Sequence, residues 1–178
     1  MTLRNTARLT ALALGLTPVL AAAQEPGTAP PCAREEYRQF DFWLGTWEVT
    51  TPDGKVAGTN TIESVLNGCA LRESWRGAGG MTGTSTNTYD PHAGRWHQTW
   101  VDDRGGFLLI SGGLEKGSMV LEGEMVDEEG PVVHRIAWTP GPAGEVRQLW
   151  EASRDGGTTW VVVFDGLYRR AGEAAEDD

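Results

Sequence analysis

The sequence predicts an all-β protein, a closed up-and-down antiparallel β-barrel of about ten strands with a short N-terminal helix plugging one end. Three observations support this fold class. After Gly45 the chain is a series of short runs with alternating apolar and polar residues, separated by turn-forming residues, which is typical of antiparallel strands. Beyond residue 31, only residues 34–43 have a helical pattern. Most connections suit hairpins between sequential neighbours, and closure removes two exposed edges.

The segment before the first strand supplies the plug. It packs four aromatic residues into eight positions, 40–47, and turns at Gly45. Residues 37–44 are expected to form a helix across one mouth of the barrel. Trp43 and Trp47 are then core anchors on either side of the Gly45 turn.

Ten strands follow from the alternating runs and the turns between them. The predicted ranges are 46–51, 56–65, 69–76, 81–89, 95–101, 107–111, 118–126, 132–139, 145–153 and 158–169. A barrel of this size has a lumen wide enough for side chains plus a small ligand.

The N-terminal residues resemble a cleavable signal peptide. Arg4 and Arg8 form a basic start, residues 9–20 are apolar over a secretory length, and small residues precede Gln24. Cleavage near Ala23 would deliver the protein to the periplasm or the medium. An uncleaved anchor is the alternative.

Domain boundaries follow from composition. Residues 1–23 are the signal peptide, 24–31 a disordered Pro-rich linker, 32–170 the β-barrel domain and 171–178 an acidic disordered tail. Removing Arg4 and Arg8 leaves 13 Lys and Arg against 25 Asp and Glu, a net charge of −12. Such a field argues against nucleic-acid partners and anionic membranes. A monomer or weak homodimer is expected.

Two cysteines, Cys32 and Cys69, predict one disulfide, because an even count in an exported chain favours pairing. The bond would tether the N-terminal helix to the third strand. Metal or redox thiols are the alternative, although no His or Cys partners lie at ligand spacing.

Strand parity sorts side chains into two faces. The face assigned to the lumen carries many tryptophans and few polar groups, as ligand sites do. Its candidate ligand-binding residues are Glu73, Trp75, Asn87, Tyr89, Gln98, Trp100, Arg135, Gln148 and Trp150. The opposite face, assigned to solvent, carries Arg72, His97, Thr99, His134, Arg147 and Glu151.

Glu73 and Arg135 are predicted to pair inside the lumen, because each would be costly to bury alone. Three functions follow. The first is an exported barrel that binds a small hydrophobic or amphipathic ligand, or an anionic one held by Arg135. The second is an enzyme in which Glu73 acts as a general base helped by Arg135. The third is a structural domain whose lumen is filled by its own side chains.

Other motifs carry little chemistry. Residues 153–160 read S-x-D-G-G-x-T-W, the turn of sialidase propellers, but one copy without repeats indicates a hairpin turn alone. The three histidines do not cluster at metal-ligand spacing, and no metal site is expected. No cofactor is expected either, although haem is an alternative because it needs one axial histidine.

Four segments carry a family resemblance. They are F-D-F-W-L-G-T-W-E-V at 40–49, N-G-C-A-L-x-E-S-W at 67–75, Y-D-P-x-x-G-R-W-H-Q-T-W-V-D at 89–102 and D-G-G-x-T-W-x-V-V-F-D-G-L-Y-R-R at 155–170. The chain resembles an uncharacterised bacterial exported family, itself similar to nitrobindin and the fatty-acid-binding calycin barrels. The resemblance implies a closed ten-stranded, calycin-like or lipocalin-like barrel and no activity. Nitrobindin's haem ligand is a late-strand histidine, and His134 is the late-strand histidine here.

Overall fold

The computed structural model describes residues 30–172. The predicted signal peptide, residues 24–29 of the predicted linker and residues 173–178 of the predicted tail lie outside this range. Within it, ten antiparallel strands form a closed barrel. They are β1 (Gly45–Thr50), β2 (Val56–Val65), β3 (Ala70–Gly77), β4 (Thr82–Asp90), β5 (Arg95–Asp102), β6 (Phe107–Glu115), β7 (Ser118–Asp127), β8 (Gly130–Pro140), β9 (Val146–Ser153) and β10 (Val161–Arg170). The predicted fold class is confirmed.

Closure occurs between the first and last strands. Each strand pairs with its sequence neighbours, and β1 pairs with β10 in a register that places Val49 opposite Tyr168. Because the strands alternate in direction, odd-numbered strands begin at the end where the plug lies. Even-numbered strands begin at the opposite end, which we call the open end.

The predicted helix is two short 3-10 segments, Glu35–Arg38 and Asp41–Trp43, and we call residues 35–43 the plug. Phe40, between them, has φ −106° and ψ 7°, which interrupts a continuous helix. Its ring stacks on Trp43 at a centroid distance of 4.9 Å and meets Trp96 and Trp138 edge-on. Phe40, Trp43 and Trp47 are fully buried, so the plug end of the barrel is solid.

Cys32 and Cys69 form the predicted disulfide. Cys32 precedes the plug, and Cys69 lies between β2 and β3. Arg38 of the plug also donates a hydrogen bond to the carbonyl oxygen of Gly68. The plug is therefore tied to the β2–β3 connection by one covalent bond and one hydrogen bond.

Most strand boundaries lie within two residues of the sequence prediction, and two differ by three or more. β6 continues four residues beyond Ser111 to Glu115, because Gly112 and Gly113 pair with Leu121 and Val120. β10 begins at Val161, three residues later than predicted, because Asp155 holds Thr158 and Thr159 in the preceding turn.

None of the helical segments between residues 30 and 172 has the length and hydropathy of a membrane-spanning helix. A disulfide is typical of proteins in an oxidising, exported environment.

Candidate functional site

A cavity of about 210 Å³ occupies the lumen between the solid plug end and the open end. Met81, in the β3–β4 turn, and Val163, near the start of β10, line it at the open end. The other lining residues are Glu73, Trp75, Gln98, Trp100, Leu108, Ile136, Trp138, Gln148, Trp150, Phe164 and Tyr168. The lumen is therefore only partly filled by side chains, which contradicts the alternative of a fully filled structural barrel.

Among the described residues of the cavity wall, Glu73 has the one charged side chain. It is 5% exposed, and each carboxyl oxygen has a hydrogen-bond donor from a neighbouring strand. Asn60 Nδ2 of β2 donates to Oε1 at 2.7 Å, and Ser85 Oγ of β4 donates to Oε2 at 2.6 Å. Alternation along three adjacent strands positions all three side chains on the lumen face.

The hydrogen bonds continue on both sides of Glu73. On one side, Asn87 Nδ2 donates to Ser85 Oγ at 2.9 Å, and Gln98 Nε2 donates to Asn87 Oδ1 at 2.8 Å. On the other side, Tyr168 donates its hydroxyl hydrogen to Gln148 Oε1. Asn60 Nδ2 lies 3.4 Å from the Tyr168 hydroxyl oxygen and joins the two sides. We call these seven side chains the polar chain: Asn60, Glu73, Ser85, Asn87, Gln98, Gln148 and Tyr168.

Burial raises the pKa of Glu73, and the hydrogen bonds from Ser85 and Asn60 offset only part of this effect. Burial also raises the pKa of Tyr168, and the nearby Glu73 carboxylate raises it further. None of the thirteen described residues on the cavity wall is Lys, Arg or His. The carboxyl of Glu73 thus faces the cavity without a cationic side chain to neutralise it.

Asn60 Oδ1 is a buried acceptor that has no donor among residues 30–172. If Glu73 takes up a proton, rotation of the Asn60 amide by a half-turn would direct Oδ1 at the Glu73 hydroxyl. The polar chain can thus accommodate the neutral as well as the ionised carboxyl.

Aromatic rings form much of the remaining wall. Trp75 and Phe164 meet edge to face at a centroid distance of 6.2 Å. Trp100 lies across β4 from Glu73, because Ser85 pairs with Glu73 on one side and with Trp100 on the other. Trp150 pairs with Phe164 and Ile136 on its two neighbouring strands. A ligand in the cavity would lie among these rings, with Glu73 on one wall.

Arg135 does not lie in the lumen, and the predicted Glu73–Arg135 pair is wrong. Arg135 Nε donates to Glu122 Oε2 at 3.2 Å, and the guanidinium carbon lies 3.6 Å from the ring centroid of Trp160. Apolar residues occur at both parities of β8. The larger ones, Ile136 and Trp138, are buried in the lumen, so Arg135 and Trp160 lie on the outer face.

The face predicted from strand parity is also wrong for His134, because the prediction places this residue on the outer face. His134 accepts a hydrogen bond at Nδ1 from Trp150 Nε1 at 2.9 Å, and partial burial lowers its pKa. It faces inward but is not among the residues lining the cavity. Because Nδ1 accepts a hydrogen bond, the neutral imidazole of His134 carries its hydrogen on Nε2. In this arrangement His134 offers no free ring nitrogen to a haem iron.

Six of the nine predicted ligand residues line the cavity: Glu73, Trp75, Gln98, Trp100, Gln148 and Trp150. Asn87 is buried in the polar chain. Tyr89 packs against Tyr37 and Trp96 at the plug end. Arg135 alone is on the wrong face.

Sequence reasoning missed several residues of the site, above all Asn60 and Tyr168. Asn60 alternates with Gly58 and Ile62 on β2, and Ile62 faces Glu73, so parity could have identified it. On β10 a register irregularity between Val162 and Phe164 shifts the alternation. Simple parity therefore cannot assign Trp160, Val162 and Phe164 to one face, although Phe164 does line the cavity.

Among the residues that the structure describes, no group of three or more His, Cys, Asp or Glu side chains could hold a metal ion. No protein-family model matches the chain. A search of curated proteins found no significantly similar sequence.

Proposed function

We propose that the barrel is an exported protein that binds a small, largely apolar molecule in its lumen. The observation that carries this proposal is the cavity of about 210 Å³ at the open end, with aromatic walls and one convergent set of polar groups. Binding sites for small molecules have this composition. The resemblance to calycin barrels agrees with the proposal, and the disulfide supports an oxidising location such as the periplasm.

The corrected position of Arg135 narrows the range of ligands that we propose for the lumen. The proposed anionic ligands depended on Arg135, whose guanidinium is outside the barrel. A carboxylate or phosphate in the cavity would meet Glu73 and no described cationic side chain. We therefore propose neutral or cationic amphipathic ligands and set anionic ligands aside.

The test is binding of 4-phenylbutanol, a neutral probe, followed by ligand-observed NMR. Val163→Trp would place a large side chain at the cavity mouth, whereas Val161→Trp is a matched control because Val161 is 70% exposed and is not among the lining residues. We expect saturable binding to the wild type and to Val161→Trp, and loss of binding in Val163→Trp. Failure of the wild type to bind, or equal binding by both variants, would contradict a ligand site in the lumen.

Catalysis by Glu73 is a second candidate function. A buried carboxyl whose pKa is raised, and which has no cationic partner among the described residues of the cavity wall, can act as a general acid or base. A panel of small esters and epoxides, assayed for turnover with the wild type and Glu73→Gln, tests this role. Turnover that disappears in Glu73→Gln supports it, and ligand binding without turnover of any panel member argues for binding alone.

A further inference from the structure

Resting on the proposed function, we propose that the lumen selects a small organic ammonium ion, with the cationic group against Glu73 and the apolar body between the tryptophans. Four observations carry this inference. They are the single carboxyl among the described residues of the wall, the lack of a described cationic side chain beside it, the aromatic rings around it and the negative charge of the whole chain.

The carboxyl of Glu73 keeps hydrogen-bond acceptor capacity although it is already hydrogen-bonded. Asn60 and Ser85 each donate one hydrogen bond to it, whereas two carboxylate oxygens have about four acceptor positions. Glu73 also belongs to the cavity wall. Acceptor capacity therefore remains for the N–H groups of a ligand.

The aromatic wall favours a cation over a neutral group. Trp75, Trp100, Trp150 and Phe164 all line the cavity. The negative face of an aromatic ring attracts ammonium groups, most strongly where water is excluded, and tryptophan is the best of these rings. An ion pair with Glu73 and contact with the rings would act together on the same cationic group.

The net negative charge of the protein also favours a cationic ligand. The full chain has a net charge of −10, and a cleft with low-dielectric walls focuses such a field. The field would concentrate small cations near the open end and repel anions. An anionic ligand would also lack any described Lys, Arg or His on the cavity wall.

Because Glu73 can hold a proton, the binding of an ammonium ion should depend on pH. Within the polar chain, the titratable side chain that faces Glu73 is Tyr168 of β10. The neighbours from β2, β4, β5 and β9 are Asn60, Ser85, Gln98 and Gln148, which do not titrate. Because burial favours the neutral form of Glu73, ammonium binding should expel a proton whenever the free protein carries one.

The test compares three ligands that share a phenylalkyl body: 4-phenylbutylamine, 4-phenylbutanol and 4-phenylbutyrate. An alkylamine keeps its charge at pH 8, because its pKa is near that of lysine, about 10.4. We expect the amine to bind wild-type protein at least about tenfold more tightly than the alcohol at pH 8, and the butyrate to bind most weakly. Calorimetry in buffers of different ionisation enthalpy should show proton release on amine binding below the pKa of Glu73.

Two variants sharpen the test. Glu73→Gln should clearly reduce the ratio of amine to alcohol affinity, because the aromatic rings alone remain to favour the cation. Glu63→Gln removes the same charge from the outer face, where Glu63 is bonded to Arg72, and should leave the ratio unchanged. An amine that binds wild-type protein no better than the alcohol would overturn the ammonium proposal and leave the lumen site standing. Persistence of the ratio in Glu73→Gln would also overturn it, and failure of all three ligands would overturn both proposals.

Discussion

At Glu73, burial and hydrogen bonding act on the pKa in opposite directions. Removal from water disfavours the carboxylate, while hydrogen bonds from Ser85 and Asn60 stabilise it, and the first effect is larger. At this residue the structure therefore places a carboxyl that holds its proton to higher pH than an exposed glutamate does.

Stability should consequently depend on the ionisation of Glu73. The pKa of Glu73 in the folded protein is raised above its ordinary value of 4.5, so its contribution is fully present below that value and is lost as pH rises through the folded pKa. We expect the free energy of unfolding of the wild type, relative to Glu73→Gln, to fall over this interval. The loss is about 1.4 kcal/mol for each unit by which the pKa is raised.

Urea denaturation of both proteins at several pH values measures this difference. Subtracting the variant removes the contributions of the other carboxylates, including Asp90, Asp102 and Asp127, whose pKa values are lowered. A pH-independent difference between wild type and Glu73→Gln would contradict a raised pKa.

At the scale of the element, the plug is a segment with little regular structure that is held by tertiary contacts. Its two 3-10 segments span four and three residues, too few for independent helical stability. The rings of Phe40 and Trp43 are fully buried, and the disulfide fixes the chain just before them. The plug therefore folds with the barrel.

Removal of the disulfide should destabilise the plug more than the sheet. The bond joins positions 37 residues apart, so Cys32→Ser with Cys69→Ser should lower the free energy of unfolding by about 3–4 kcal/mol in the chain-entropy treatment. Hydrogen exchange of residues 35–43 should accelerate more than that of β5–β8. Dithiothreitol should destabilise the wild type but not the variant, and equal exchange rates throughout would contradict the role assigned to the bond.

The β9–β10 turn is stabilised by hydrogen bonds to one carboxylate, that of Asp155. Asp155 Oδ1 accepts from the backbone N–H groups of Thr158 and Thr159, and Asp155 Oδ2 accepts from Thr159 Oγ1 at 2.6 Å. These bonds, with one from Ser153, lower its pKa to about 2. The turn thus depends on the ionised carboxylate, and its contribution is lost as pH falls from the ordinary value of 3.8 towards about 2.

Thr159→Val should raise the pKa of Asp155 towards 3.8, because the hydroxyl donor is the largest cause of the shift. Thr158→Val is the matched control, since the Thr158 hydroxyl donates to the backbone oxygen of Asp155 rather than to its carboxylate. Carboxyl ¹³C NMR titration measures both variants. An unchanged pKa in Thr159→Val would show that the backbone donors alone hold the carboxylate.

At the scale of the whole molecule, closure of ten strands requires close approach of neighbouring backbones. Gly112 of β6 lies against β7, where an added Cβ would be 2.1 Å from the carbonyl oxygen of Val120. At the adjacent Gly113 an added Cβ would meet nothing within 4 Å. Glycine at 112 therefore permits the local backbone path of the barrel, whereas glycine at 113 is not needed for space.

Gly112→Ala should lower the free energy of unfolding by about 1–3 kcal/mol, because the contact is with backbone and cannot be relieved by a side-chain rotation. Gly113→Ala should be neutral or stabilising by up to about 1 kcal/mol, because alanine restricts the unfolded chain. Thermal and urea denaturation of the pair measures the contrast. Equal stabilities of the two variants would contradict a steric requirement at Gly112.

The features that sequence predicted well are those that depend on local pattern. Alternation and turn residues give ten strands, and parity places Glu73, Trp75, Gln98 and Trp100 on the lumen wall, because their strands carry bulky or amphipathic side chains at one parity. Cysteine count gives the disulfide. Each is determined by the sequence alone, since a pleated strand fixes the direction of every second side chain.

Tertiary structure decided which face of a strand turns inward where both faces of that strand carry apolar residues. In β8 both parities carry apolar residues. Packing of Trp138 against the plug and of Ile136 opposite Trp150 of β9 turned Arg135 outward and His134 inward. In β10 the register irregularity was decided by pairing with β9. The charge of the lumen followed from β8, because the outward position of Arg135 left Glu73 as the single charged group on the described cavity wall.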